Sequence, residues 1–149
     1  MNHAGIIDLV PTEVRRQWIQ NGIYPNKSVY ELFLERALQT PDKPAVVTLY
    51  EIITYAELLD KVKRLAAAFK IRGVVTGDVV AYQLQNNWRS CAIDLAASSL
   101  GAIVAPFPPG RGLLDVQSLL RKCDARVIIV EQEYAGVDSY TRCKWESQR

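Results

Sequence analysis

The sequence contains one histidine, His3, one methionine and three cysteines in 149 residues. With a single histidine, a catalytic triad or a histidine metal site would have to use a residue next to the amino terminus. A solvent-exposed side chain is the simpler reading of His3. Cys91, Cys123 and Cys143 are odd in number and show no CxxC spacing. That pattern argues against a disulfide framework or a zinc site and fits a reducing cytoplasm. No apolar run approaches the roughly 18 residues a membrane span needs. The opening MNHAGIIDLVPTEVRR has no basic n-region, and Asp8 interrupts its only apolar run, so it does not read as a secretory signal. The formal net charge is only +2, and the basic residues are scattered, which argues against a nucleic-acid footprint.

What is present is an ordinary globular composition. Hydrophobic residues make up 49% and charged residues 23%, both typical of folded chains. The length suits one domain or part of a larger one. A chain of this size can bury about 68–70% of the surface it exposes when unfolded, so a real core is expected.

Periodicity and punctuation divide the chain. Residues 1–27 read as a lead-in in which Pro11 starts a short helix, stopped by Asn21-Gly22. Trp18 and Ile19 are its expected anchors. Ser28 and Glu31 have capping-box spacing, and Val29, Leu32, Phe33 and Ala37 follow at helical intervals up to Thr40-Pro41. Residues 45–48 and 51–53 read as a hairpin, although Leu49-Tyr50 lacks the Gly, Asn or Asp that a tight turn favours. Thr54 and Glu57 form a second capping box. The helix behind it carries Leu58, Val62, Leu65, Ala66 and Phe69 on one face and Asp60, Lys61, Lys63 and Arg64 on the other, and Gly73 ends it.

From Asp78 the predicted order is strand, helix, strand, helix, strand, over 79–84, 87–100, 102–107, 113–122 and 126–130. Asn86 or Asn87 caps the first of these helices, which is apolar nearly all round and is therefore expected to be buried on more than one side. The crossovers are long enough for parallel neighbours, and the apolar strands suit a sheet covered on both faces. The expected fold is α/β, a layered βαβ unit with a mostly parallel sheet. Three stretches result: 1–27 as lead-in, 28–130 as the folded unit and 131–149 as a polar tail of different character.

Candidate functional residues are sparse. Cys91 lies on an apolar helix face and reads as a small buried hydrophobe. Cys123 has no neighbouring histidine to make it a nucleophile. Gly110-Arg111-Gly112 falls between a strand and a helix, where phosphate can sit on helix N–H groups, but it matches neither GxGxxG nor GxxxxGK[ST] and reads first as a turn. Asp94 is a lone carboxylate on an apolar helix, with Arg89 near it in sequence. An ion pair or surface contact is the expected explanation. Trp88 and Phe107 are candidates to line an apolar cavity, with a core role as the commoner alternative.

Four segments nevertheless occur in a telling order. Ile53-Thr54-Tyr55-Ala56-Glu57-Leu58, followed by Arg64-Leu65-Ala66, resembles the "(L/I)TYxEL…RLA" element of the AMP-forming acyl-CoA synthetase and adenylation-domain superfamily. Gly73, then Gly77-Asp78-Val79-Val80-Ala81, then Leu84-Gln85-Asn86, is similar to its "GV…GDVVAxxLPN", with Gln85 where proline is usual. Leu100-Gly101-Ala102 through Pro106 resembles "LGAxxxP". Upstream, Pro41-Asp42-Lys43-Pro44-Ala45-Val46 resembles "PDxxAV". The lead-in from Arg16-Gln17-Trp18 to Gly22-Ile23-Tyr24 is similar to members that activate aryl, cyclohexane-type or other medium-sized acids. The likeness spans roughly 11–130, and residues 138–149 do not resemble the family's continuation.

The resemblance implies a parent reaction in which a carboxylate and ATP give an acyl-adenylate, whose acyl group passes to coenzyme A or a carrier-protein pantetheine with magnesium assisting. It places the phosphate loop, the adenine and ribose contacts and the mobile carboxy-terminal lysine outside the matched stretch. No catalytic, cofactor-binding or metal-binding residue is therefore carried over to this chain. The leading expectation is an amino-terminal fragment of such a ligase, inactive and without cofactors alone. One alternative is the interaction half of a split ligase, partnered by the complementary remainder or by self-association. The other is a small independent flavodoxin-like nucleotide-binding domain.

Overall fold

The computed structural model describes residues 10–131, 133–134 and 137–138. Helix α1 (Thr12–Gln20) follows Pro11 and buries none of its residues. Trp18, its expected anchor, is exposed. Helix α2 (Val29–Gln39) begins at the predicted box: Ser28 Oγ accepts from the Glu31 N–H at 3.2 Å, and Glu31 Oε2 accepts from the Ser28 N–H at 2.6 Å. Strands β1 (Pro44–Val47) and β2 (Ile52–Thr54) pair antiparallel as the expected hairpin. Its turn works without Gly or Asn because Thr48 supplies the missing chemistry. The Thr48 hydroxyl oxygen accepts from the N–H groups of Tyr50 and Glu51 at 3.2 and 3.0 Å, a side-chain turn of the Ser/Thr type.

Helix α3 (Tyr55–Ile71) repeats the capping box with Thr54 and Glu57. Leu58, Leu59, Val62 and Phe69 are buried. Leu65 and Ala66, expected on the core face, are only half-buried. Three parallel strands follow: β3 (Val79–Gln83), β4 (Ile103–Pro106) and β5 (Ala125–Val130), in the order β4-β3-β5. Helices α4 (Trp88–Ser99) and α5 (Leu113–Cys123) make the two crossovers. Short strands β6 (Glu133–Tyr134) and β7 (Val137–Asp138) pair antiparallel beyond them.

Alternation along β3 explains its unbroken apolar sequence. Val80 and Tyr82 join the core beneath α3 and α4, whereas Val79 and Ala81 join a second core with Phe107, Val116 and Leu120 of the α5 layer. Both faces are covered, as the continuous run required. Helix α4 packs against α3, α2 and β4, with Ala92, Ile93, Leu95, Ala96 and Ala97 buried. The chain itself therefore covers this helix on more than one side, as its apolar pattern required.

The α/β expectation is met, and the order of strands has a consequence for function. From β3 the chain crosses to one side for β4, then back past β3 to the other side for β5. The reversal makes β3 and β5 adjacent parallel strands at the point where the strand order turns back. In open α/β sheets, a crevice for ligands forms at the carboxyl ends of such a pair.

Candidate functional site

A cavity of about 950 Å³ opens at that position, at the upper end of the volumes typical of small-molecule sites. Its floor is formed where β3 and β5 end, by Leu84, Ile129 and Val130. Leu65 and Ala68 of α3 and Ala92 of α4 form apolar walls. The half-buried state of Leu65 follows from this position: its side chain packs against the edge of the core and also lines the crevice.

Charge is concentrated at the rim. Lys61 and Arg64 come from α3 and Arg89 from α4, against one carboxylate, Glu131. Arg64 pairs with Asp60 at 2.9 Å, and Glu131 Oε2 accepts from Gln85 Nε2 at 3.4 Å. Lys61 Nζ and Arg89 Cζ both lie over the Trp88 ring, 4.5 and 4.6 Å from its centroid. Two cations held against one indole are stabilised by the ring's negative face. Neither forms an ion pair among the described residues.

The sequence-predicted candidates fall apart spatially. Trp88 reaches the crevice, but Phe107 is buried on the opposite face of the sheet beneath α5, so the two do not line one cavity. Arg89 stacks on Trp88 and is not the partner of Asp94. Instead, Asp94 sits with Tyr82 and Cys91, and its Oδ1 is buried without a hydrogen-bond partner. Burial raises the Asp94 carboxyl above the ordinary range, partly offset by its hydrogen bond to Tyr82. Burial, then the Asp94 charge, pushes the Tyr82 phenol to about 12 and also raises the Cys91 thiol. A thiol held protonated is a poor nucleophile.

Cys123 is likewise raised by burial, with Sγ near the Leu120 carbonyl at 3.6 Å. Arg111 is exposed, and Gly112 caps α5 without a side-chain bond. His3 and Cys143 lie outside the described residues. The placing of Lys61 and Arg64 on the face opposite the apolar one did not show that they reach the crevice. The available signal was the meeting of α3, α4 and the strand ends at the reversal of strand order.

Fold and crevice together define a parallel α/β protein, covered on both faces and open at the carboxyl ends of its strands. The chain belongs to the AMP-binding enzyme family, which matches residues 33–147. The match begins in α2 and runs past β5 and residue 130. It corresponds to the amino-terminal portion of the acyl-CoA synthetase and adenylation-domain superfamily, as the four motifs implied.

The chain is 28% identical over 109 residues to tyrocidine synthase 3 of Brevibacillus parabrevis, covering 72% of this chain and 2% of that protein. It is 32% identical over 105 residues to acetyl-coenzyme A synthetase of Coprinopsis cinerea, covering 65% of this chain and 16% of that one. The solved N-terminal subdomain of Klebsiella oxytoca NpsA, in complex with 3-hydroxyanthranilyl-AMSN, superposes with a TM-score of 0.66 at 26% identity, covering 74% of this chain and 28% of that one. The chain spans less than a third of the length of each of these relatives.

No helix among the described residues is long and apolar enough to cross a membrane.

Proposed function

We propose that this chain is a scaffold portion of an AMP-forming acid–thiol ligase. The parent activity would be adenylation of a carboxylic acid by ATP with release of pyrophosphate, then transfer of the acyl group to coenzyme A or a carrier-protein pantetheine. The observation that carries this reading is the family match over residues 33–147, joined to the likeness to an adenylation-enzyme subdomain. The likeness to an acetyl-coenzyme A synthetase supports the thiol step.

No three His, Cys, Asp or Glu side chains lie together among the described residues as a metal-binding group. The turn before α5 offers one exposed arginine and no side-chain cap. No catalytic step is assigned to a residue of this chain. Its contribution is the parallel sheet and the helices that hold it.

A second reading, the interaction half of a split ligase, is favoured by the sheet edges. The outer edges of β4 and β5 have no strand partner among the described residues, and an open strand edge can pair with another chain.

A chimera tests the scaffold reading. Residues 33–130 would replace the equivalent stretch of the NpsA adenylation enzyme, and ATP–pyrophosphate exchange would be measured with that enzyme's own acid. Retained exchange supports the reading. A folded chimera with no exchange contradicts it.

A further inference from the structure

We propose that the crevice between α3 and α4 binds a small organic anion with a compact apolar body. The lining residues named here belong to this chain, and the proposal does not depend on the ligase reading. Two features of the crevice point to this class of ligand.

The first is the mismatch of charge at the rim. Three cations face one carboxylate. Arg64 is engaged by Asp60 and Glu131 by Gln85. That leaves Arg89 without an ion pair and Lys61 with only the longer-range pull of the Glu57 carboxylate, both lying over a single indole beside an apolar wall. Two like charges over one ring raise the positive potential at the rim, and an anion at the mouth would offset it. Near low-dielectric walls the attraction exceeds its value in open water.

The second is the floor. Ile129 and Val130 at the carboxyl end of β5, backed by the buried Leu84, are half-buried and present apolar surface, as do Leu65 and Ala68 of α3 beside them. Such surface favours a ligand that removes it from water. A bare inorganic anion would leave the floor wet, and a neutral hydrophobe would leave the cations unanswered. An apolar-bodied anion satisfies both, with its body on the floor or against Trp88 and its charge between Lys61 and Arg89.

The experiment uses the full 149-residue chain and three probes: naphthalene-2-sulfonate, its neutral sulfonamide, and inorganic sulfate. The readout is the Trp88 indole N–H resonance, assigned with Trp88→Phe, followed through each titration. The expected result is saturable movement of that resonance with the sulfonate, with the sulfonamide and sulfate each weaker by about tenfold, the ratio produced by loss of one substantial contact. Lys61→Gln with Arg89→Gln should weaken the sulfonate by a similar factor while leaving the sulfonamide unchanged. If that double variant fails to fold, the comparison of charged and neutral probes on the unaltered chain decides alone. Equal binding of sulfonate and sulfonamide, or no movement of Trp88 at saturating probe, overturns the proposal. Movement of the Trp88 resonance on dilution without any probe would mean a second copy fills the crevice, and overturns it too.

Discussion

The Gly77 N–H donates to the Gly101 carbonyl at 2.9 Å, joining the turn before β3 to the turn before β4. The Thr76 hydroxyl adds a bond to the Leu100 carbonyl at 3.0 Å, and the buried Asp78 carboxylate accepts from the Val75 N–H at 3.0 Å. The "GD" and "LGA" segments, more than 20 residues apart in sequence, are thus two halves of one junction that sets the register of the parallel sheet.

Gly101 is the most constrained point of that junction. Its φ is +68°, and an added Cβ would lie 3.0 Å from Thr76 Cγ2. Gly22 has a similar φ of +69° with nothing near its Cβ position. Gly22→Ala should therefore cost only the backbone term, about 1–2 kcal/mol. Gly101→Ala should cost more, by the contact with Thr76. Urea melts of the two variants measure the difference, and equal losses would remove the junction from the account.

The helix α3 variants should separate into three classes. Thr54→Ala removes a cap and should cost about 1 kcal/mol. Val62→Ala, at a fully buried position, should destabilise clearly more, as large-to-small core substitutions do. Leu65→Ala should fall below the roughly 2–5 kcal/mol of a fully buried leucine, because Leu65 sits at the edge of the core and also lines the crevice. A Leu65 loss as large as that of Leu58→Ala in the same melts would place Leu65 in the core.

The expected elements were legible where the signal is local. Each capping box is a short-range pattern with a geometric meaning, and both formed. The parallel order followed from strand lengths and crossover lengths. The crevice was not legible, because it is made by residues of α3, α4 and the end of β5 that only the tertiary fold brings together. Asp94 misled for the same reason: sequence proximity suggested Arg89, whereas the helix turns Asp94 towards Tyr82 on β3. The Leu49-Tyr50 turn looked poor because its stabilising residue, Thr48, sits one place before it.

Asp94 sets a pH dependence. Burial raises its folded-state carboxyl above the ordinary carboxylate value, so the folded chain holds its proton to higher pH than the unfolded chain. The stabilisation is complete below the unfolded value and is lost as pH rises through the folded one. Asp94→Asn should therefore stabilise the chain at neutral pH, with the gain shrinking as pH falls through the folded value and gone below the unfolded one. Thermal melts across pH 3–8 measure it. A gain that grows on acidification would contradict the assigned burial.

Tyr82 adds an alkaline limit. Its phenol is raised from 10 to about 12 in the folded state, so stability should begin to fall above pH 10 as the unfolded state loses that proton first. Tyr82→Phe should flatten this part of the profile. An unchanged alkaline profile in the variant would show that another group governs it.

ATP–pyrophosphate exchange by the isolated 149-residue chain, with magnesium and a panel of aryl, alicyclic and short aliphatic acids, tests the scaffold reading most directly. The account predicts exchange at background, because the family resemblance places the phosphate loop and the mobile carboxy-terminal lysine outside the matched stretch. Acid-dependent exchange above background in a pure preparation, abolished when ATP is omitted, would contradict it.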